Sequence, residues 1–216
     1  MKALIIGATG ATGKALTQQL LLDADYTEVV IFVRRPVALT HEKLTVHIVD
    51  FDKPEIWADS VRGDVLYSCL GTTLKQAGSR PNQWKIDHDY PLAAAQTARR
   101  NAVPYHVLIS SDHANPDSRL FYYRMKGKLE QEVTELDFPQ SVIVRPPLLK
   151  RPNTDRTGER ITEILLENAN KIGLFKSARP MPTETLATAM RQAVKLGKSG
   201  IIGKQALWRL ADITNH

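Results

Sequence analysis

The chain has 216 residues, of which 43% are hydrophobic and 24% are charged, and this length and composition predict a single domain over residues 1–216. A chain of this size buries roughly 70% of the surface that it exposes when unfolded. Its one cysteine, Cys69, excludes an internal disulfide and, with no signal segment apparent, favours the cytoplasm. A cysteine-based zinc site is excluded too, and the six histidines show no metal-ligand spacing, so no metal is expected.

The formal net charge of +6 and the pI of about 9.4 raise nucleic acid as a partner. Residues 145–180 hold eight basic and four acidic side chains, so this one segment carries most of the excess. No helix-turn-helix signature, zinc finger or aromatic RNA-binding motif accompanies it. A small anionic ligand explains a local basic region more economically. The expected partner is therefore a small-molecule substrate rather than nucleic acid or a membrane, and the oligomeric state is left open.

The first element is an apolar run, residues 3–6, that ends in three glycines, Gly7, Gly10 and Gly13. Four apolar residues are too few for a membrane span and predict a buried strand, whereas the spacing of Leu16 and Leu20 predicts a following helix. A strand, a glycine turn and a helix form the first half of a mononucleotide-binding unit. Glycines let the backbone approach a ligand closely, and the helix N-terminus attracts phosphate.

The glycine turn has two other interpretations. A phosphate-loop NTPase needs glycine at position 8 and Ser or Thr at position 15, and both positions are alanine. The glycines could also serve only a close strand-helix junction. The spacing Gly-x-x-Gly-x-x-Gly differs from the Gly-x-Gly-x-x-Gly of many dehydrogenases and is similar to the variant used by short-chain dehydrogenase/reductases.

The second predicted strand, residues 29–33, ends at Arg34 and Arg35. About 20 residues beyond its glycine turn, a dinucleotide fold presents an acid to the ribose of NAD or an arginine to the 2′-phosphate of NADP. Arg34 stands at this distance and no carboxylate does, so the cofactor is predicted to be NADP(H). The alternative is a pair of solvated arginines in a loop.

The third and fourth strands supply the next candidate contacts. The third, residues 44–49, ends at Asp50 and Phe51, which could hydrogen-bond and pack on an adenine; Asp50 could equally cap the helix that Pro54 begins. The fourth apolar run, residues 64–70, ends at Gly71, where the main chain could pass under a ribose. Cys69 has no nearby base to activate it and is interpreted as a small buried residue.

A long helix is predicted over residues 84–101, either bent at Pro91 or beginning near Asp89. In this interpretation Asp87, His88 and Asp89 form a solvated first turn.

The fifth strand, residues 105–109, leads into Ser110, Ser111, Asp112 and His113. Adjacent residues on one loop cannot align a hydrolase triad, and no Gly-x-Ser-x-Gly elbow is present. A serine at the end of a strand could instead hydrogen-bond a substrate carbonyl.

Tyr122 and Lys126 stand four apart, on one face of a helix predicted over residues 118–136. A free tyrosine titrates at about pH 10, whereas a general acid for carbonyl reduction must work nearer neutrality. The adjacent ammonium and an oxidised nicotinamide would both favour tyrosinate and lower its pKa. The pair is therefore a candidate catalytic couple.

The rest of the chain completes the sheet. A sixth strand is predicted at 141–145, followed by an irregular segment, 150–181, with one helix at 158–169 that is expected to cover the substrate pocket. A helix at 182–197 and a strand at 205–210 end the chain. Alternating strands and helices predict the α/β fold class: one doubly wound parallel β-sheet in a three-layer α/β/α arrangement.

Six stretches together resemble the atypical short-chain dehydrogenase/reductases, which are NAD(P)-binding Rossmann proteins, and within them the Tat-interacting protein group of oxidoreductase-like proteins. The stretches are Gly7–Gly13, Cys69–Thr73, Asp87–Tyr90, Leu108–Ser111, Tyr122–Gly127 and Val144–Pro146. The resemblance covers residues 1–150 well and the remainder loosely.

This resemblance implies NADP(H) binding and a role for each matching residue. The pyrophosphate would lie over Gly7, Thr9, Gly10, Ala11, Thr12 and Gly13, the 2′-phosphate at Arg34 and Arg35, and the ribose near Leu70 and Gly71. Lys126 would bind the nicotinamide ribose, Tyr122 would donate a proton and Ser111 would polarise the substrate. Because Ser110 directly precedes Ser111, either serine could face the substrate.

The expected function is an NADP(H)-dependent oxidoreductase that acts on a carbonyl or related group of a small metabolite. The alternative is an NADPH-binding regulatory or protein-interaction module without turnover. Both hypotheses need the glycine turn and the arginine pair, but only the first needs Tyr122.

Overall fold

The computed structural model of the protein describes residues 1–150 and 180–213. The strands of this part are β1 Lys2–Ile6, β2 Glu28–Val33, β3 Leu44–Ile48, β4 Val65–Ser68, β5 Tyr105–Ile109, β6 Gln140–Arg145, β7 Leu149–Lys150, β8 Met181–Pro182 and β9 Gly200–Gly203. The helices are α1 Ala11–Leu22, α2 Pro54–Trp57, α3 Leu74–Ala77, α4 Arg80–Trp84, α5 Tyr90–Arg100, α6 Phe121–Glu135, α7 Thr183–Lys195 and α8 Lys204–Asp212. A 3₁₀ turn spans Ala58–Ser60, and a π-helical turn spans Lys85–Asp89.

Seven strands form one parallel sheet in the order β3-β2-β1-β4-β5-β6-β9, and β7 and β8 form a separate parallel pair. Ile6, at the end of β1, lies opposite Phe32 on one side and Ser68 on the other. From β1 the sheet grows outward through β2 and β3 on one side, and from β4 through β5, β6 and β9 on the other. The switch point of the strand order therefore lies between β1 and β4. In an open α/β sheet, the crevice beyond the strand ends at this switch point is where ligands bind.

The central strands are buried on both faces, as a parallel sheet covered by helices requires. In β1, Ala3 and Ile5 pack into the core on the side of α1, α7 and α8, whereas Leu4 and Ile6 pack into the core on the side of α2, α5 and α6. The predicted fold class, a doubly wound α/β sheet with three layers, is confirmed.

The prediction for the C-terminal element was wrong. Residues 205–210 lie within helix α8, and the last strand is the preceding segment, Gly200–Gly203, which pairs with β6. Leu207, Leu210 and Ala211 are buried on one side of the helix, at spacings of three and four residues. Six residues, Gln-Ala-Leu-Trp-Arg-Leu, are too few to distinguish the period of a strand from that of a helix.

The predicted helix over 84–101 is divided. Helix α4 runs into the π-helical turn, and α5 begins at Tyr90, so that Pro91 occupies the first helical turn, where its missing N–H costs nothing. The predicted solvated turn at Asp87 and His88 was wrong, because both side chains are buried; only Asp89 is exposed.

Helix α7 confirms the helix predicted at 182–197, with slightly shorter bounds. The helix predicted at 158–169 and nearly all of the pocket segment 150–181 lie outside the described residues. Among the residues described, no helix is long and apolar enough to cross a membrane.

Candidate cofactor-binding cleft

A cleft of about 500 Å³ opens beyond the carboxyl ends of β1, β2, β4 and β5, at the switch point of the sheet. Its walls contain eleven of the residues predicted to bind or react: Gly7, Thr9, Gly10, Ala11, Thr12, Arg34, Phe51, Leu70, Gly71, Tyr122 and Lys126. Four predicted residues, Gly13, Arg35, Asp50 and Ser111, are not part of its lining. The cleft thus brings together residues from five separate segments of the chain.

The glycine turn is shaped by contacts that leave no room for side chains. Gly7 has a φ of +79°, and a Cβ atom there would lie 2.5 Å from the carbonyl carbon of Cys69. A Cβ on Gly13 would lie 2.1 Å from the carbonyl oxygen of Gly7. Gly13 therefore lets helix α1 pack directly on the turn, which is a structural role, and explains why it is absent from the cleft wall.

Helix α1 presents its N-terminus to the cleft without a side-chain cap. The N-cap is Gly10, whose backbone is extended, and no side chain accepts a hydrogen bond there. The first turn of any helix leaves backbone N–H groups without intrahelical partners. Since Ala11 and Thr12 of this turn line the cleft, the end of the helix can bind an anionic group.

The two arginines that follow β2 differ in their position relative to the cleft. Arg34 and Arg35 both follow β2 and are both exposed, but only Arg34 lines the cleft. Neither guanidinium forms an ion pair with another described residue. Arg34 is therefore available to an anionic ligand, and Arg35 lies outside the cleft wall.

Aromatic rings line the same end of the cleft. The ring centroids of Phe51 and Tyr90 lie 5.4 Å apart, and both residues contribute to the wall. The Tyr90 hydroxyl donates to Asp52 at 2.8 Å, and Asp52 forms an ion pair with Lys85 at 2.6 Å. Asp50 is exposed, and its carboxylate accepts from the Asp52 N–H at 3.0 Å. Phe51 thus fits the predicted adenine contact, whereas Asp50 stabilises its own loop.

The end of β5 distinguishes the two serines. The backbone N–H of Ser110 donates to the carbonyl of Val144 at 2.8 Å, which extends the β5–β6 ladder by one residue. Ser110 is buried and lines the cleft, and its hydroxyl has no hydrogen-bond partner among the described residues. Ser111 begins the following turn, where its carbonyl accepts from the Ala114 N–H at 3.0 Å.

Helix α6 places Tyr122 and Lys126 in the wall of the cleft that the glycine turn also lines. Tyr122 is 38% exposed, whereas Lys126 is 3% exposed, and the ammonium donates a long hydrogen bond of 3.4 Å to the carbonyl of Ile109. Gly127 makes this possible: a Cβ there would lie 2.2 Å from the backbone of Asn115. The glycine lets the 110–120 loop cross the helix beside the two side chains.

The electrostatic surroundings of Lys126 include two carboxylates that the sequence did not assign to the site. Burial lowers the pKa of Lys126, and the nearby carboxylates of Asp87 and Glu130 oppose that shift. Asp87 lines the cleft and accepts a hydrogen bond of 2.6 Å from the Thr72 N–H. The Asp87–Tyr90 stretch is one of the six that carry the family resemblance, but the cluster of Asp87, His88 and Asp89 in the first turn of a predicted helix suggested a solvated turn.

Cys69 lies at the base of the cleft and packs partly on the core. Burial raises the pKa of Cys69 to about 12, so that the side chain is a neutral thiol at physiological pH. The prediction that it is not a nucleophile is therefore supported by its environment. Within the described part of the chain, no group of His, Cys, Asp and Glu residues could hold a metal ion.

The residues of the cleft fit a nicotinamide dinucleotide. One part of the wall offers the uncapped helix end and a glycine turn, another offers Arg34 and Phe51, and the third offers Lys126 with the unpartnered hydroxyl of Ser110. A Cβ added to Gly71 would meet no heavy atom within 4 Å, so the backbone there borders open space. In the same order, these three parts of the wall suit the pyrophosphate, the adenosine, and the nicotinamide ring with its ribose.

Comparison with known proteins identifies the family. A family model described as NAD(P)H-binding matches residues 7–193. Protein FMP52, mitochondrial, of Saccharomyces cerevisiae is 36% identical over 164 residues, which are 73% of this chain and 71% of that protein. Protein HTATIP2 of Rattus norvegicus is 34% identical over 67% of this chain and 61% of that protein. The fmp52 protein of Emericella nidulans is 31% identical over 98% of this chain and 97% of its own.

Solved structures share the fold at low sequence identity. The oxidoreductase ylbE from Lactococcus lactis superposes with a TM-score of 0.69 at 19% identity, over 100% of this chain and 98% of that one. UDP-glucose 4-epimerase from Thermus thermophilus, solved in complex with NAD, gives a TM-score of 0.71 at 15% identity, over 100% of this chain and 84% of that one.

The resemblance to the Tat-interacting protein group is confirmed by the match to HTATIP2, and the expected nicotinamide-binding domain is confirmed by the family model. The protein belongs to the NAD(P)H-binding family, as a relative of FMP52 and HTATIP2.

Proposed function

We propose that the protein is an NADP(H)-dependent oxidoreductase that acts on a carbonyl or related group of a small metabolite. The observation that carries the proposal is the position of Ser110, Tyr122 and Lys126 in the wall of the same cleft as the glycine turn and Arg34. A cofactor site alone would use Lys126 for the nicotinamide ribose but would not need the Ser110 hydroxyl or the Tyr122 phenol.

The preference for NADP(H) rests on Arg34. This guanidinium follows β2, lines the cleft and forms no ion pair with a described residue. A charge-assisted hydrogen bond contributes roughly 1.5–3 kcal/mol, so one contact to a 2′-phosphate gives about a tenfold preference or more. Calorimetry should show NADPH binding at least about tenfold more tightly than NADH, and Arg34→Ala should abolish the difference. Arg35→Ala is the matched control and should retain most of it. Equal affinities in the unmodified protein would remove the NADP assignment.

Each side chain has a role in reduction. When bound, NADPH supplies the hydride and becomes NADP⁺. The Ser110 hydroxyl donates a hydrogen bond to the substrate oxygen, and the Tyr122 hydroxyl transfers a proton to it, so that the carbonyl gains one hydride and one proton. Lys126 supplies a positive charge that stabilises the phenolate left on Tyr122.

Replacement of Tyr122 by Phe tests the proposal. We expect Tyr122→Phe to retain NADPH binding and to lose turnover by a factor of about 10²–10⁴ for any carbonyl substrate that the unmodified protein reduces. Turnover that survives this change would contradict the mechanism. Binding of NADPH without turnover of any substrate in a broad carbonyl screen would favour the alternative, an NADPH-binding regulatory or protein-interaction module.

The partner and the location follow from the same proposal. We propose a small-molecule substrate, and neither nucleic acid nor a membrane as a partner. The single cysteine supports a reducing compartment, for which we propose the cytoplasm, although the FMP52 relatives are named as mitochondrial proteins. Cell fractionation with antibody detection decides between the two compartments.

A further inference from the structure

We propose that Asp87 is a positioning residue of the cleft, whose buried carboxylate is the counter-charge of Lys126 and also holds the loop at the end of β4. This inference deepens the proposed function, but its first test needs neither cofactor nor turnover. Asp87 is 1% exposed and lines the same cleft as Ser110, Tyr122 and Lys126.

The backbone explains how Asp87 reaches the cleft. It lies in the π-helical turn Lys85–Asp89, between α4 and α5. A π turn adds a residue to the helix and rotates its side chains relative to a regular helix, and such turns occur often at functional sites. In this turn Asp87 and His88 are buried, whereas Asp89 is exposed.

One carboxylate oxygen of Asp87 has a defined structural partner. Its Oδ1 accepts the Thr72 N–H at 2.6 Å. Thr72 and the preceding Leu70 and Gly71 all line the cleft. The Asp87 side chain therefore fixes the β4 loop, which is the predicted ribose contact, relative to the π-helical turn.

Two carboxylates, those of Asp87 and Glu130, lie near Lys126. Lys126 faces Asp87 from the π turn, Glu130 and Tyr122 from its own helix, and the carbonyl of Ile109 from β5. Glu130 is held by Arg145 from β6 in a two-point ion pair, with distances of 3.0 and 2.5 Å. That guanidinium offsets the charge of Glu130, and Glu130 is not part of the cleft lining, whereas Asp87 lines the same cleft as Lys126.

Burial alone disfavours the charged form of an amine and lowers its pKa, as it does for Lys126. Loss of the Asp87 charge should therefore lower the pKa of Lys126 further. An uncharged Lys126 could no longer stabilise a phenolate on Tyr122.

The test measures the Lys126 pKa by NMR in the cofactor-free protein. The side-chain ¹³Cε signal, assigned by its absence in Lys126→Met, is followed from neutral to alkaline pH. Asp87→Asn keeps an oxygen for the Thr72 N–H but removes the charge. We expect it to lower the Lys126 pKa by about one unit or more, a tenfold change in proton affinity.

The matched control is Asp89→Asn, two residues away in the same turn. Asp89 is exposed and hydrogen-bonds His88, so its replacement should leave the Lys126 titration unchanged. Coincident titrations of Asp87→Asn and the unmodified protein would overturn the inference whether or not the protein proves to be an enzyme.

A second variant covers the case in which Asp87→Asn does not fold. The double variant Asp87→Asn/Lys126→Met removes both buried charges and should fold, because neither group is then left uncompensated. Failure of the double variant as well would show that Asp87 acts only as a structural support for the β4 loop, and would overturn the proposed role.

Discussion

Ser110 and Ser111 are neighbours in the chain, but the end of β5 gives them different surroundings. Ser110 continues the strand ladder and is fixed in the cleft wall, whereas Ser111 belongs to the next turn. The sequence left the choice between them open, since both immediately follow the same apolar strand. The choice depends on where the ladder ends, and that is decided by the pairing of β5 with β6.

We predict that Ser110→Ala reduces kcat/KM for a carbonyl substrate by about 10²-fold or more, the usual effect of losing one hydrogen-bond donor to the reacting oxygen. Ser111→Ala is the matched control and should retain most of the activity. Steady-state kinetics of the two variants provides the measurement. A large effect of Ser111→Ala with a small effect of Ser110→Ala would reverse the assignment.

His106 shows how a buried polar residue affects stability. Its ring is fully buried in β5, lies 5.0 Å from the Phe138 ring, and has no hydrogen-bond partner at either nitrogen among the described residues. Burial lowers the pKa of His106 from 6.5 to about 3. The folded state therefore keeps this side chain neutral at pH values where the unfolded chain binds a proton.

We predict that the free energy of unfolding falls as the pH drops from about 6.5 toward 3, by up to about 1.4 kcal/mol per pH unit from this residue. Above the unfolded pKa, His106 is neutral in both the folded and the unfolded chain, and its titration costs no stability. His106→Leu removes the loss of stability that occurs below that pH, so this variant should become increasingly more stable than the unmodified protein as the medium is acidified. Urea unfolding at several pH values measures the difference, and exposed His113→Leu is the control. A difference in the free energy of unfolding between His106→Leu and the unmodified protein that does not change with pH would contradict the prediction.

At the scale of elements, the strand-turn-helix unit at the N-terminus was the most predictable part. Apolar residues 3–6 entering three glycines left few alternative conformations, and the structure has β1 and α1 there. The π-helical turn was less predictable, because the register that buries Asp87 depends on its contact with Thr72 from a different segment. Helix α8 was mispredicted because six residues are too few to distinguish a strand period from a helical one.

We predict that Gly13→Ala disrupts the β1-α1 unit. The new methyl group would lie 2.1 Å from the carbonyl oxygen of Gly7, and that atom is backbone and cannot rotate away. We expect a loss of about 3 kcal/mol in the free energy of unfolding, together with loss of NADPH binding.

Gly203→Ala provides a matched control for the glycine change. A Cβ at Gly203 meets no heavy atom within 4 Å, so this variant should fold and bind NADPH normally. For both variants, urea unfolding measures the free energy of unfolding and calorimetry measures NADPH binding. Normal stability of Gly13→Ala would show that α1 can move away from the turn without cost.

At the scale of the whole molecule, the two ends of the chain are joined by an ion-pair network. Asp23, just after α1, pairs with Arg191 at 2.6 Å and with Lys195 at 2.7 Å, both on α7. Burial raises the pKa of Asp23, but hydrogen bonds from Lys195, the Asp25 backbone and Arg191 outweigh it and keep the pKa below its usual value. The network holds the helix that follows the glycine turn against the C-terminal part of the protein.

We predict that Asp23→Asn costs about 1–2 kcal/mol of stability at pH 7, a value between exposed and buried ion pairs. Because the folded pKa of Asp23 is lowered, its contribution is present above the unfolded pKa and is lost as the pH falls through the folded pKa. The difference between variant and unmodified protein should therefore shrink in strong acid. Asp25→Asn, whose side chain is exposed, should have a smaller effect in the same urea-unfolding series. Equal costs for the two variants would contradict the prediction.

The packing of α7 and α8 has a consequence for biosynthesis. Leu16 and Leu20 of α1 share one core with Leu186 and Met190 of α7 and Leu207 of α8, so part of the sheet face that carries α1 is covered by helices that are translated after the described cleft residues. A ribosome-bound chain that already contains the whole cofactor cleft still exposes this apolar face. Nascent chains should therefore need a chaperone until α8 has emerged, and a premature stop after β7 should yield an aggregating protein rather than a smaller cofactor-binding domain.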